Sequence, residues 1–145
     1  KLGKKCLWAN DFNKYSGYSH KLNFPDTKVV IKNIKGIDEK ELHQEIGDVD
    51  FIIGGPPCQG FSLAGPRLGF KEDKRNSLYL EYVRFVKEFK PKQFIMENVK
   101  EILEFKDEII KDFEGYDVVT ELVNGLDIGM KQKRIRVFFM GNGNE

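Results

Sequence analysis

The residues best suited to chemistry lie in the segment from Gly54 to Ser62, which reads GGPPCQGFS. Its lone thiol, Cys58, stands on a turn of glycines and prolines directly after the apolar run of residues 49–53. A short apolar run of this kind predicts a buried strand of a parallel sheet. Because open α/β sheets bind ligands at the carboxyl ends of such strands, Cys58 stands where a nucleophile would be presented. A cysteine kept only for packing, as free cysteines often are, would more naturally fall inside the apolar run.

Two further segments place an acid and two arginines at the edges of predicted strands. Glu97 follows the apolar residues 94–96, and Arg134 and Arg136 lead into the apolar residues 137–140. Carboxyl groups can transfer protons, and guanidinium groups can stabilise developing negative charge. A nucleophile, an acid and a pair of arginines at strand edges together indicate a catalytic constellation.

In their order and content, these segments resemble the catalytic domain of cytosine-5 methyltransferases, which use S-adenosylmethionine (SAM). The resemblance extends from Leu7 to Met140 and rests on GGPPCQGFS, FIMENV and QKRIR. It implies a doubly wound α/β, Rossmann-like SAM-dependent methyltransferase fold with double-stranded DNA as substrate. The expected protein is a monomeric prokaryotic modification enzyme whose partner in the same restriction system is a cognate endonuclease.

The resemblance also assigns catalytic roles. Cys58 is expected to add to C6 of cytosine, which makes C5 reactive toward a methyl group. Glu97 is the candidate acid at N3 of the base, and Arg136 is the candidate holder of O2. Arg134 is expected to support the surroundings of the nucleophile, and Asn98 to orient the local backbone. Without the resemblance, Glu97 would be interpreted as a helix-start residue and the arginines as part of a surface strand pair.

Three residues match family positions that contact DNA or fill the space left by the target base: Gln59, Ser62 and Arg75. The target atom is not accessible in a stacked duplex, so an enzyme of this type must flip its base out. The three residues belong to a long predicted loop, residues 56–76, whose glycines would let it close over the nucleotide. An ordinary flexible loop is the alternative interpretation.

Six residues are candidates for binding SAM: Asp11, Phe12, Asn33, Ile34, Pro56 and Leu78. Asp11 fits the acid that meets ribose hydroxyls at a strand end, although it could also cap a helix. Phe12 could stack on adenine; the family more often has Glu and Trp at these two positions. Asn33 and Ile34 stand where the family has an Asp–aliphatic pair that meets adenine. No metal site is expected, since His20 and His43 have no partners at ligand spacing.

The order of predicted elements positions these residues. Strands are expected at residues 6–10, 29–31, 49–53, 93–96, 116–123 and 136–140, and helices at 14–22, 38–46, 77–90 and 108–113. This alternation favours a doubly wound α/β sheet. The last two strands are expected to be neighbours at an edge, Asp38 to cap a helix, and Cys6 and Trp8 to lie in the core.

The resemblance further predicts that residues 1–145 are a partial catalytic domain. The family's first strand and its Phe-x-Gly-x-Gly turn, which cradles SAM, have no match in the sequence. The sequence also stops shortly after the arginine motif, so the target-recognition domain is expected to be absent.

Composition agrees with a domain of this class. The chain has 145 residues, of which 40% are hydrophobic and 32% charged, as in a soluble globular domain. The net charge of +1 argues against broad coating of nucleic acid, so DNA contacts must come from local clusters. Two cysteines without framework spacing favour a reduced, cytoplasmic setting. No apolar stretch is long enough to span a bilayer.

Two alternative functions remain open at this point. An RNA-directed member of the same family would methylate tRNA, but such members usually carry a different loop after Pro-Pro-Cys-Gln. The continuation Gly60-Phe61-Ser62 resembles the DNA enzymes instead. A subunit of a split gene, or a degenerate fragment, would act only with a partner chain. The intact Cys58, Glu97 and Arg136 argue against decay of the chemistry, whereas the unmatched SAM turn keeps this alternative open.

Overall fold

The computed structural model describes residues 3–57 and 77–144, and its contacts divide the chain into two compact units, residues 1–47 and 48–145. Four of the predicted site residues lie outside the described residues: Cys58, Gln59, Ser62 and Arg75.

The first unit contains a two-stranded parallel sheet and two helices: β1 (Trp8–Asp11), α1 (Lys14–Asn23), β2 (Lys28–Ile31) and α2 (Glu39–Ile46). Helix α1 connects β1 to β2, since parallel strands need a crossover. It packs closely on β2 at Gly17, where a Cβ would lie 2.5 Å from the side chain of Ile31.

Side-chain caps begin both helices of the first unit. The oxygen of Asn13 caps α1 and that of Asp38 caps α2, each accepting from two backbone N–H groups. The cap predicted at Asp38 is therefore confirmed. Asn13 is the residue that caps α1, which leaves Asp11 for another role.

The second unit is built on a four-stranded sheet in the order β3-β4-β6-β5. Its strands are β3 (Phe51–Gly54), β4 (Gln93–Val99), β5 (Tyr116–Asn124) and β6 (Ile135–Gly143), and its helices are α3 (Ser77–Phe89) and α4 (Lys106–Asp112). Strands β3 and β4 are parallel, whereas β6 is antiparallel to both of its neighbours. The predicted pairing of the last two strands is confirmed, but only β5 is at the edge, because β6 inserts between β4 and β5.

Strand β4 is longer than the sequence predicts. Antiparallel pairing with β6 continues as far as the pair Val99 and Arg136. Glu97 and Asn98 consequently lie within the strand, not after it. A 3₁₀ helix (Lys100–Phe105) follows, and α4 begins two residues earlier than expected.

The core of the second unit lies between its sheet and its helices. Its buried side chains come from α3, β4, α4 with its C-terminal cap residue, and β6, and include Tyr79, Phe94, Met96, Ile109, Phe113, Val137 and Phe139. The inward residues of β4 and β6 alternate, as expected for one buried face of a sheet. Helix α3 contributes the apolar stripe that its helical period predicts.

Cys6 is exposed, which corrects the expectation that it belongs to the core. It precedes β1 instead of lying in it, so the sheet does not cover it. Trp8 begins the strand and is half-buried. No helix within residues 3–57 and 77–144 is long and apolar enough to cross a membrane.

Candidate active site

Glu97 lies between two arginines at the end of β4. Its carboxylate Oε1 is 3.0 Å from Nε of Arg136 and 3.9 Å from a terminal nitrogen of Arg134. Arg136 also donates from Nη1 to the carbonyl of Ile135 at 2.8 Å, which fixes the plane of its guanidinium group. These side chains are half-buried to half-exposed, with exposed fractions of 35% for Glu97 and 25% for Arg136. The acid and both arginines predicted from the sequence are thus brought together in one cluster.

The strand pairing explains this cluster. Arg136 lies directly opposite Val99 in the antiparallel register of β4 and β6. Opposing residues of neighbouring strands have their side chains within reach, also diagonally by two residues, which is the relation of Arg136 to Glu97. The motifs FIMENV and QKRIR therefore meet because β6 returns beside β4.

Asn98 ties the end of β4 to the turn that leads toward Cys58. Only 4% of its surface is exposed. Its Nδ2 donates to the carbonyl of Pro56 at 3.0 Å, and its Oδ1 accepts from the backbone N–H of Val99 at 2.9 Å. A buried amide with both ends bonded is rigid, since either unmet bond would cost free energy. This arrangement supports the predicted role of Asn98 in orienting the backbone.

Gly55 is a site residue that the sequence interpretation missed. A Cβ at this position would lie 3.1 Å from Oε2 of Glu97, closer than side chains normally approach. The chain leaving β3 therefore passes close against the carboxylate, and a side chain at residue 55 would require Glu97 to shift by a few tenths of an ångström. The paired glycines before Pro56 could have indicated this site, because glycine often occurs where the backbone approaches another group closely.

The first unit gathers four of the cofactor candidates at one edge of its sheet. Asp11 ends β1, and Asn33 and Ile34 follow β2, so the carboxyl ends of two parallel strands bring them to the same edge. The side chain of Asn10 donates to the carbonyls of Val30 and Lys32 at 2.9 and 2.8 Å, which fastens the two strand ends together.

Two polar side chains at this edge, those of Asp11 and Asn33, accept hydrogen bonds from backbone N–H groups. Oδ1 of Asp11 accepts from the N–H of Asn13 at 2.8 Å, which orients the carboxylate and leaves its second oxygen for a ligand. Oδ1 of Asn33 accepts from the N–H of Lys35 at 3.0 Å and caps the short 3₁₀ helix Ile34–Gly36. Phe12 is 74% exposed.

These features fit a nucleoside. An oriented carboxylate oxygen suits ribose hydroxyls, and an exposed aromatic ring beside it suits the face of adenine. Pro56 and Leu78 belong to the second unit, where both are half-buried and Leu78 lies in the first turn of α3. All six cofactor assignments stay predictions, as do the catalytic ones. Within the described residues, no cluster of three or more His, Cys, Asp or Glu side chains is arranged to hold a metal ion.

A scan against protein-family models matches residues 1–145 to the C-5 cytosine-specific DNA methylase family. Among curated proteins, the type II methyltransferase M.DdeI of Desulfomicrobium norvegicum is 43% identical over 148 residues, which cover 95% of this chain and 34% of that protein. The type II methyltransferase M.XorII of Xanthomonas oryzae pv. oryzae is also 43% identical, over 96% of this chain and 35% of its own length. The chain thus spans about a third of these relatives.

Solved structures show the same fold. A protein described as a DNA modification methyltransferase encoded within a prophage (E. coli) aligns with a TM-score of 0.79 and 30% identity, over 97% of this chain and 41% of that one. The DNMT2 protein of Spodoptera frugiperda aligns with a TM-score of 0.76 at 23% identity, over 99% of this chain and 44% of that one. The predicted Rossmann-like α/β fold is confirmed. The chain belongs to the C-5 cytosine-specific DNA methylase family.

Proposed function

We propose that the protein carrying this chain is a DNA (cytosine-5) methyltransferase of a restriction–modification system. One observation carries the proposal: β4 presents Glu97 to Arg136, while the next residue, Asn98, holds Pro56 two positions before Cys58. Strand β4 therefore links the proposed acid Glu97, the proposed O2 ligand Arg136 and the turn that leads to Cys58. The names of the type II relatives support the same activity.

The first step is addition to the base. The thiolate of Cys58 gives an electron pair to C6 of cytosine, and the former C5–C6 double bond pushes charge toward N3 and O2. A thiolate suits this step because it is strongly nucleophilic near neutral pH. Glu97 supplies a proton at N3, and the guanidinium of Arg136 binds O2, so both stabilise charge where it develops.

The second step restores the base. When bound, SAM would supply an electrophilic methyl group to C5 of the activated ring, and its sulfonium sulfur would leave as a neutral thioether. Loss of the C5 proton to a base then re-forms the C5–C6 double bond, Cys58 leaves as the thiolate, and the N3 proton returns to Glu97, which restores the neutral base and the acid. On the cofactor side, Asp11 would bind the ribose, Phe12, Asn33 and Ile34 would meet the adenine, and Pro56 and Leu78 would line the site.

We expect the ion pair between Glu97 and Arg136 to rearrange when cytosine binds. Glu97 and Arg136 form an ion pair in the structure, whereas in the proposed reaction each of them contacts the base. Cytosine offers N3 to the acid and O2 to the guanidinium, so it can replace the ion pair with two new contacts. Of the five N–H groups of Arg136, only two are used in the contacts described above, so others can bind O2.

Double-stranded DNA is the proposed substrate, and its target base must leave the stack. Gln59, Ser62 and Arg75 are proposed to contact the DNA or occupy the vacated space; all three lie outside the described residues. A monomeric protein in the bacterial cytoplasm, paired with a cognate endonuclease, completes the proposal.

Covalent trapping tests the proposal with full-length protein. A duplex that carries 5-fluorocytosine at the target position should form a complex that survives denaturing electrophoresis, because fluorine cannot leave as the C5 proton does. The adduct should require SAM and should vanish in Cys58→Ser. Cys6→Ser is the matched control, since Cys6 is an exposed thiol outside the site, and it should form the adduct normally. An adduct that persists in Cys58→Ser would overturn the mechanism.

A further inference from the structure

The hydroxyl of Tyr82 bridges two strands of the second unit. Tyr82 lies in the middle of α3, with 9% of its surface exposed. Its oxygen is 2.9 Å from the carbonyl oxygen of Ile95 in β4 and 3.2 Å from that of Ile52 in β3. A phenol has one proton, so the two carbonyls share it in a three-centre hydrogen bond. One side chain thus spans the seam between the two parallel strands.

The ring of Tyr82 also fixes the end of β3. A Cβ on Gly54 would lie 2.7 and 2.8 Å from two ring carbons, so only glycine allows this approach. Gly54 is the last residue of β3, and the chain runs from it through Gly55 to Cys58. The position of the ring therefore limits where the nucleophile turn can begin.

The other carbonyl lies close to the acid. Ile95 is two residues before Glu97 on β4, and the strand between them is held on its far side by β6. The hydroxyl of Tyr82 consequently joins the strand that leads to Cys58 with the strand that carries Glu97. Burial, with a smaller contribution from Tyr116, raises the pKa of Tyr82 far above its usual value, so it remains a neutral donor.

Packing alone does not account for this hydroxyl. The same helix uses phenylalanine at Phe85 and Phe89, where the buried face needs only an apolar ring. A buried hydroxyl lowers stability unless it is bonded, so its presence implies a use for the bond. Tyr79, one turn before Tyr82, directs its own hydroxyl to the carboxylate of Asp112 in α4, at 2.9 Å.

We propose that Tyr82 is a positioning residue, whose hydroxyl and ring set the position of the end of β3, from which the chain runs toward Cys58, relative to Glu97. The inference rests on the reaction proposed above. Reactions of this kind are sensitive to small displacements, and a shift of about 1 Å can lower a rate by roughly a hundredfold.

The test compares Tyr82→Phe with Tyr79→Phe in the full-length protein. Each change removes one buried hydroxyl from α3 and keeps the ring, but only the first removes a side-chain bridge between the paired strands β3 and β4. We expect Tyr82→Phe to lower kcat by about ten- to a hundredfold, to leave KM for SAM within about twofold, and to speed amide exchange in residues 51–54. Tyr79→Phe should leave kcat and that exchange unchanged. A second variant, Gly54→Ala, should reproduce the loss of kcat by pushing the same ring.

Each outcome has a distinct meaning. Equal effects of the two tyrosine variants on kcat and on exchange would overturn the inference, because the role would then be general stability. A kcat effect confined to Tyr82→Phe and Gly54→Ala supports it. If the unmodified protein transfers no methyl group, the proposed function fails. Hydrogen exchange then decides the inference alone: faster exchange of residues 51–54 only in Tyr82→Phe supports the link, and equal exchange refutes it.

Discussion

Gly141→Ala should destabilise the second unit strongly, because Phe94 occupies the space above Gly141. The two residues are directly opposite in the antiparallel pairing of β4 and β6. A Cβ on residue 141 would lie 2.1 Å from one ring carbon of Phe94 and 2.6 Å from two others. Covering a strand glycine with a cross-strand aromatic ring is a known way of stabilising a sheet.

The magnitude follows from how little Phe94 can move. Ordinary contact requires about 3.4 Å, so the ring must retreat by more than 1 Å. Phe94 is completely buried, and its ring centroid lies 4.2 Å from that of Phe113 and 5.1 Å from that of Tyr116. Overpacking in such a core costs about 1–3 kcal/mol, and we expect the upper end of this range.

Urea unfolding of the full-length protein, followed by fluorescence, measures the loss. Gly143→Ala is the matched control on the same strand, because the nearest atom to its Cβ is at 3.4 Å. It should change the free energy of unfolding by no more than about 0.5 kcal/mol. Phe94→Leu should partly rescue Gly141→Ala, so that the double variant loses less than the sum of the two single losses. A free energy of unfolding for Gly141→Ala equal to that of Gly143→Ala would refute the packing argument.

Three further predictions concern the site. Glu97→Gln should lower kcat by about a hundredfold or more, as loss of a general acid does, with little change in DNA affinity; equal losses in both would indicate a structural role. Asn98→Ala removes the amide that donates to the carbonyl of Pro56 and should lower the free energy of unfolding by about 1–3 kcal/mol, measured in urea; an unchanged midpoint would contradict the rigid turn. Because Tyr82 keeps its proton in the fold but loses it above about pH 10 when unfolded, its contribution to stability is complete below pH 10 and declines as pH rises further. The unfolding constant should therefore rise about tenfold per pH unit from this group, and Tyr82→Phe should remove that part of the slope; an identical slope in both proteins would be the contrary result.

Much of the fold could be predicted from local signals. The cap at Asp38 and the buried stripe of α3 located helices correctly, because capping and helical period act within a few residues. The strand at β3 was placed within two residues from its apolar run. The family motifs supplied the acid and the arginines, which the structure brings together around Glu97.

Contacts between distant segments could not be predicted in the same way. The extension of β4 to Val99 depends on pairing with β6, almost forty residues later in the chain. The packing of Phe94 against Gly141 depends on the pairing of β4 with β6. The hydrogen bonds from Tyr82 to β3 and β4 likewise depend on how α3 packs on the sheet. In sequence, Tyr82 is one more residue of an apolar stripe, and nothing in the pattern reveals where its hydroxyl points.

The most direct test of the central claim is the transfer of labelled methyl groups from SAM, by the full-length protein, to genomic DNA and to bulk tRNA. Cys58→Ser and Cys6→Ser are measured alongside. The account predicts label in DNA, none above background in tRNA, no transfer by Cys58→Ser and normal transfer by Cys6→Ser. Label only in tRNA, or transfer to DNA that survives Cys58→Ser, would contradict it.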